Sequence, residues 1–585
     1  MALLDPHSYA DDTHPKVTKL VWDAEVDFST RTLRGAATLE LESPSTAEIL
    51  DLDSRDLAIA SVRDDQGRDV RFELAPADSV LGARIRLTLA AGTKSVTLRY
   101  ETGVGASALQ WLEPAQTAGG KQPYLFSQCQ PIHARSIVPL QDTPSRRITF
   151  TAALKVPVAL RGLMAAGFVG REEAGAAAVE RWEMPQPIAP YLFAFAVGDL
   201  ASRDIGERSR VWAEPSVVDS AAWEFAEVDG LLRAGEALFG QYAWDRFDIL
   251  LMPPSFPYGG MENPRLTFVT PTLLAGDRSQ VRVIAHELAH AWTGNLVTNA
   301  NAEHFWLNEG WTRWAEIRIT ERTEGEDAGA LLAALCRADL EEEVARFVRE
   351  GHGEWTKLRT HLSGVDPDVA FSVVPYDKGE LFLRAIEQAV GRARFDEFAK
   401  KYLDHFRFGA VTTESFVEFT ERELPGVLDT VHASTWLHEE GIPDNAPRAK
   451  SAQLDAVLAM GDVLPDATTK LGPTEWNLWL ERLPRPSPAS FCEEIDQRFH
   501  FSENGNMEVK VAFLRLAIVS GYDAILPEVE RVLGTTGRMK YLRPLYDALL
   551  GRPDQVARAR AIFERYAASY HPIARSVVSG RIARA

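Results

Sequence analysis

The chain has 585 residues, with 63 Lys plus Arg against 83 Asp plus Glu and a formal net charge of −20. That length exceeds what one hydrophobic core can serve and predicts three or four domains. The acidic balance excludes nucleic acid as a general partner, because phosphate binding needs a basic footprint. The three cysteines, Cys129, Cys336 and Cys492, are too scattered for a disulfide framework or a cysteine metal site. The opening MALLDPHSYADD has neither a basic n-region nor an apolar h-region. No apolar run approaches the roughly 18 residues of a membrane span. These features predict a cytoplasmic protein with no membrane segment, a monomer by default.

From the start to about residue 200 the apolar residues recur with a period of two. Leu20, Trp22, Ala24, Val26 and Phe28 alternate, then Ala37, Leu39 and Leu41, then Ile85, Leu87 and Leu89, then Val96, Leu98 and Tyr100. Asp65-Gln66-Gly67 and Ala91-Gly92 supply turns between these runs. The pattern predicts an antiparallel β domain over 1–199 with polar outer faces. Residues 200–441 are mixed. Phe247 to Met252 reads as a strand that Pro253-Pro254 stops, Leu266 to Thr270 as another, and helices follow. A polar, proline-marked linker covers 442–450. Residues 451–585 are helical, and Val556, Ala559, Ile562, Phe563 and Tyr566 form one stripe. The fold class is multidomain α+β.

The chemistry concentrates in Ser279 to Arg318, SQVRVIAHELAHAWTGNLVTNANAEHFWLNEGWTRWAEIR. Val281, Ile284, Ala285, Leu288 and Trp292 recur at helical spacing, and Asp277 and Gln280 stand where a cap and its partner would. His286 and His290 are one turn apart on one face, with Glu287 beside the first. This is the H-E-x-x-H pattern, in which two imidazoles share one zinc ion and the glutamate serves as base. A catalytic zinc takes a third protein ligand and keeps one position for water. Glu309 is the candidate, on a second helix that Asn308 would cap after Gly294 and Asn295 end the first. Glu316, seven residues on, shares the face of Glu309 and could orient a histidine.

Further stretches carry a family resemblance: PYLFSQCQPIHARSIVPLQDTPS at 123–145, PPSFPYGGMENPRLTFVTPTLLAGD at 253–277, DPDVAFSVVPYDKG at 366–379 and GRMKYLRPL at 537–545. With the zinc motif they resemble the leukotriene A(4) hydrolase and aminopeptidase branch of the zinc aminopeptidases (gluzincins). The resemblance implies a saddle-like N-terminal β domain, a thermolysin-like catalytic domain, a C-terminal α-helical domain, and a cleft where the three meet. It implies one zinc ion per chain. It places Glu262 and Gln130 on the free amine of a peptide, and Tyr376 on the oxyanion of the tetrahedral intermediate. Gln128, Cys129, Pro257, Tyr258, Gly259, Gly260 and Met261 fall in the substrate-binding stretches. The two glycines would let an extended peptide approach the backbone and add as a strand. Asp368 falls in the substrate pocket, where its charge would suit an N-terminal arginine. Arg538, Met539 and Lys540 fall where the branch binds the far carboxylate of a short peptide.

Two positions depart from the branch: Asp377 follows Tyr376 where the branch commonly has glutamate, a change with no reading from the sequence, and Phe371 is the one that bears on function. Phe371 stands where its vertebrate members have tyrosine, which weakens the case for a lipid epoxide more than for a peptide. The expected activity is removal of N-terminal residues from short peptides by metal-activated water. An epoxide hydrolase acting on a fatty-acid epoxide, and a peptide-binding scaffold without turnover, are the alternatives. Intact Glu287 argues against the scaffold, which needs no base.

Overall fold

The computed structural model describes residues 5–42, 48–466 and 468–585. Residues 1–4, where the leader reading begins, lie outside them. Most of the alternating segments pair into one seven-stranded sheet. Its spatial order is Gly167–Ala174, Ala177–Ile188, Ile148–Pro157, Val17–Asp27, Thr32–Leu41, Ser95–Thr102 and Leu57–Asp64. Leu20, Trp22, Ala24 and Val26 lie on its buried face. The antiparallel expectation needs one correction: Val17–Asp27 and Ile148–Pro157 run parallel. The long excursion between them supplies the crossover that parallel neighbours require. The Ile85 to Leu89 alternation belongs to a separate three-stranded sheet, Ile49–Ser54, Ala83–Thr88 and Arg71–Leu74.

A five-stranded sheet opens the catalytic part, in the order Ala201–Asp204, Arg210–Ala213, Asp248–Leu251, Leu266–Val269 and Gly260–Met261. The last strand is an edge, paired antiparallel through Gly260 with Val269 and through Met261 with Phe268. Its outer side carries the unpaired backbone groups of any sheet edge.

The motif helix spans Val281–Ala289, and His290 continues its αR backbone as the C-cap. The cap expectation is corrected here. Gln280 is the N-cap without a side-chain cap bond, and Asp277 accepts from the Ser279 amide in a turn ahead of the helix. The second helix is Trp306–Glu324. It begins before Asn308, so Asn308 lies in its first turn rather than capping it. The three-residue strand Val297–Asn299 pairs with Gly409–Val411 in the connection between the two helices.

A third helix, Val374–Val390, packs on the second. The approach is set by two glycines. A Cβ on Gly310 would sit 2.7 Å from the Gly379 Cα, and one on Gly379 would sit 2.8 Å from the Gly310 Cα. No side chain fits there, so the backbones meet directly.

Beyond the proline-marked segment the chain is helical to its end. Its core is a cluster of its own around Trp479, Phe513, Leu542 and Leu545, joined by Leu331 and Leu335 from the helix Glu326–Glu350. The stripe on Val556–Tyr566 faces this core through Ala559 and Ile562. No helix among the described residues is long and apolar enough to cross a membrane.

Candidate active site

The two motif helices bring three donor atoms to one point. His286 Nε2 and His290 Nε2 each lie 3.4 Å from Glu309 Oε2. All three residues are buried. The histidine rings stand at 88° with centroids 4.8 Å apart. Glu309 Oε2 has no hydrogen-bond partner although it is buried. An orphaned carboxylate oxygen facing two imidazole nitrogens is costly unless a cation sits among them. Two nitrogens and one oxygen with room for water is the donor set of catalytic zinc.

The far ring nitrogens fix this aim. His290 Nδ1 lies 3.1 Å from the Thr293 carbonyl, which only accepts, so Nδ1 carries the proton and Nε2 presents its lone pair. His286 Nδ1 lies 2.9 Å from Glu316 Oε2, with the same consequence. Glu316 is thus brought to the histidine that its spacing suggested. Gly294 matters for the same reason: its φ is 120°, and a Cβ there would sit 2.6 Å from Asn308 Oδ1 and 2.7 Å from His290 Nδ1.

Without a cation the site is strained electrostatically. Burial works against a charged His286, yet the neighbouring Glu309 and Glu316 carboxylates outweigh it and hold the pKa near 10. Burial takes His290 down to about 4. Burial, reinforced by the charges of Glu309 and Glu316 against the opposing pull of His286, takes Glu287 up to about 8. Burial and the charges of Glu309 and Glu287 push Glu262 up. Glu262, Glu287 and Glu309 are thus three neighbouring buried carboxylates that need compensating positive charge.

Glu287 points at the edge strand: a Cβ on Gly260 would lie 2.3 Å from Glu287 Oε1. Glycine is required at 260 for the carboxylate to reach the site. Glu262, Glu287 and His290 place one oxygen or nitrogen each within 4.8 Å of one another. Glu262 is 4 % exposed. Its Oε1 accepts from Gln130 Nε2 at 3.3 Å, and its carbonyl accepts from Asn295 Nδ2 at 2.7 Å. Tyr376, in the first turn of the third helix, stacks on His286 with centroids 5.8 Å apart. Burial and the charges of Glu309, Glu262 and Glu287 push its phenol up, so it stays a proton donor.

Other residues from the matching stretches are less direct. Gln128, Cys129 and Met261 are buried. Gln128 Nε2 approaches Met261 Sδ at 3.1 Å, and the Cys129 thiol donates to the Phe193 carbonyl at 3.0 Å. The Pro257 carbonyl accepts from the Met539 amide at 2.8 Å, which ties the C-terminal domain to the glycine loop. Arg538 lies against Gly259, where a Cβ would sit 3.0 Å from its Nη2. Its Nη1 donates to Tyr541 and Thr272, and its Nε is buried without a partner. Lys540 is 53 % exposed and pairs with Glu508 at 2.7 Å. Tyr258, Phe305, Asp368 and Phe371 line a largely apolar cavity of about 70 Å³ that also reaches Gln130, Trp355 and His7.

Two participants went unread in the sequence. His133 Nε2 contacts Asp368 Oδ2 at 2.8 Å, and Arg313 contacts both Glu316 and Asp377. His133 lies three residues after Gln130 in the same stretch. Arg313 falls at i+4 from Glu309, on the stripe already in use.

Known proteins match along the whole chain. Three family models fit: Peptidase M1 N-terminal domain over residues 5–192, Peptidase family M1 domain over 224–436, and Leukotriene A4 hydrolase, C-terminal, over 471–582. A Xenopus laevis protein named leukotriene A-4 hydrolase is 36% identical over 605 aligned residues, covering 99% of both chains. The chain belongs to peptidase family M1. An M1 relative from Aspergillus niger, named leucine aminopeptidase 2, is 36% identical and covers 98% of this chain and 97% of its own. The solved structure of yeast leukotriene A4 hydrolase with bestatin superposes at a TM-score of 0.92 and 32% identity, over 99% of this chain and 97% of that one. The three-domain M1 architecture and the resemblance drawn from the motifs are therefore established. The protein is a zinc-dependent hydrolase of the aminopeptidase type, with a single catalytic zinc.

Proposed function

We propose that this M1 enzyme removes the N-terminal residue of short peptides, with His286, His290 and Glu309 holding the zinc. The observation that carries the exopeptidase reading is Glu262. It is a buried carboxylate, steadied by Gln130, within 4.8 Å of Glu287 and His290. A substrate α-ammonium supplies the positive charge that this position lacks. Binding there brings the first peptide bond, and no later one, to the metal ligands.

When bound, the zinc supplies Lewis acidity to the scissile carbonyl and lowers the pKa of a water towards about 7. Glu287 takes the proton of the attacking water and passes it to the leaving amine. The Tyr376 phenol donates to the oxygen that gains charge. The free edge of Gly260–Met261 pairs with the extended substrate backbone. Arg538, whose Nη2 lies against Gly259, receives the far carboxylate. Asp368 would favour a basic first side chain, and the aromatic lining of its cavity an apolar one. The buried free thiols Cys129, Cys336 and Cys492 support a reducing, cytoplasmic setting.

A tripeptide panel with free and N-acetylated termini tests the reading. Cleavage of the free forms alone, lost with chelator and restored by zinc, is the expected result. Equal cleavage of both forms would make it an endopeptidase and remove Glu262 from amine binding.

The apolar cavity favours a second reading. It runs from Tyr258 and Phe371 to Trp355, Leu358 and Leu362, so an acyl chain fits its chemistry. Turnover of a fatty-acid epoxide to a diol by the same zinc-loaded protein is the corresponding assay.

A further inference from the structure

The metal cradle and the oxyanion donor sit on different helices. The histidines and Glu309 come from Val281–Ala289 and its C-cap and from Trp306–Glu324, whereas Tyr376 comes from Val374–Val390. The glycine contact at 310 and 379 brings the backbones of the last two helices together. One guanidinium spans the seam. Arg313 Nε donates to Asp377 Oδ1 at 3.1 Å, on the helix of Tyr376. Its Nη1 donates to Glu316 Oε2, the same oxygen that His286 Nδ1 contacts. Its Cζ also lies 5.8 Å from the Tyr376 ring centroid, within cation–π range.

We propose that Arg313 is a positioning residue that locks Tyr376 to the metal cradle. It links Asp377, Glu316 and His286 in one continuous chain of hydrogen bonds. Asp377 and Glu316 are 2 % and 3 % exposed, and the one guanidinium pairs with both buried carboxylates. Lysine cannot replace it: a point ammonium lacks the planar fork that serves two carboxylates in fixed directions while facing a ring. The inference rests on the aminopeptidase reading, because its consequence is expressed through the oxyanion donor.

The test uses the full-length, zinc-loaded protein and a free-amine tripeptide that the wild type cleaves. Arg313→Met is expected to lower kcat by about 10–100-fold with KM nearly unchanged, at saturating zinc. In the Tyr376→Phe background the same substitution is expected to cost less than about threefold, because the group being positioned has lost its hydroxyl. Arg313→Lys should not recover the loss. Asp377→Asn keeps the volume and removes the anchor, and should lower kcat in the same direction. Zinc affinity, measured by competition with a chelating dye and without substrate, should weaken about tenfold in Arg313→Met and stay unchanged in Tyr376→Phe. Equal kcat losses in both backgrounds, or full recovery on adding zinc, would overturn the proposal. So would wild-type kcat in Asp377→Asn, which decides the matter if Arg313→Met does not fold. A wild type that cleaves no peptide, free or acetylated, would count against the aminopeptidase reading. Zinc affinity then judges Arg313 alone, and an unchanged value rejects it.

Discussion

At the scale of single residues the site is a balance of buried charge. Glu262, Glu287 and Glu309 are each below 10 % exposed, and that is tolerable only with compensating cations. On the proposed reading the zinc ion compensates one side and a substrate ammonium the other. On the same reading Glu287 makes the balance productive, since it stands beside His286, His290 and Glu309 without being one of the ligands. Glu287→Gln keeps the shape and removes the base. The expected result is full zinc content by metal analysis with kcat down by about 10²–10⁴. Retained turnover would assign the base elsewhere. Phe371 illustrates the limit of motif comparison. Its departure was visible in the sequence, but only the structure shows it against Tyr258 and Tyr376 with centroids 6.3 Å and 6.1 Å away.

At the scale of elements, glycines decide the geometry. Gly260 admits the Glu287 carboxylate, Gly310 and Gly379 admit each other's helix, and Gly294 admits Asn308 beside His290. Gly294 was legible only as a helix stop. Its positive φ and the crowding at the metal ligand needed the folded connection. Gly294→Ala forces a side chain into both, with strain of about 1–3 kcal/mol. The expected outcome is a lower thermal midpoint together with weaker zinc binding, measured by unfolding with and without metal. A drop in midpoint with unchanged zinc affinity would mean that Gly294 serves the turn alone. The cap readings failed at this scale for a physical reason. Asp277 and Asn308 are good capping residues, but Asp277 is engaged in the Ser279 turn and the second helix already starts at Trp306, so neither helix start has a side-chain cap bond. Side-chain chemistry shows that a helix starts nearby; the packing around it sets the residue.

At the scale of the whole molecule, the cleft depends on domains that are far apart in sequence. The 537–540 loop bonds to the glycine loop through Gly537 to Pro254 and Met539 to Pro257, at 2.7 Å and 2.8 Å. This puts Arg538 against Gly259. Arg538→Ala is therefore expected to raise KM for tripeptides with a free carboxylate by about tenfold or more and to leave tripeptide amides little changed. An equal effect on both would mean that Arg538 supports the loop and not the substrate. Metal and protons are also coupled globally. The folded, zinc-free protein holds Glu287 at about 8 against an ordinary value of 4.5, so between those values the folded state binds the extra proton and stability falls as pH rises. Zinc must also displace the proton on His286, whose pKa is near 10 without metal, so its binding tightens with pH. Both effects have the same sign. The thermal shift produced by zinc is expected to be larger at pH 8 than at pH 5.5, by calorimetry of apo and loaded protein. An equal or reversed shift would remove this account of the charge balance.

The sequence by itself determined the features that local periodicity controls. A helix places residues four apart on one face whatever surrounds it, so His286, His290 and the neighbouring Glu287 were readable as a metal motif. The alternation of Leu20 to Val26 likewise specified a half-buried strand. Glu309 and Glu316 were readable as partners because seven residues return to the same face. Contacts between elements were another matter. Tertiary structure decided that Tyr376 stacks on His286, that the edge strand at Gly260 faces Glu287, that Arg538 reaches Gly259, and that Arg313 joins Glu316 to Asp377. Each of these depends on how two elements pack, and periodicity within one element carries no information about the rotation or approach of another.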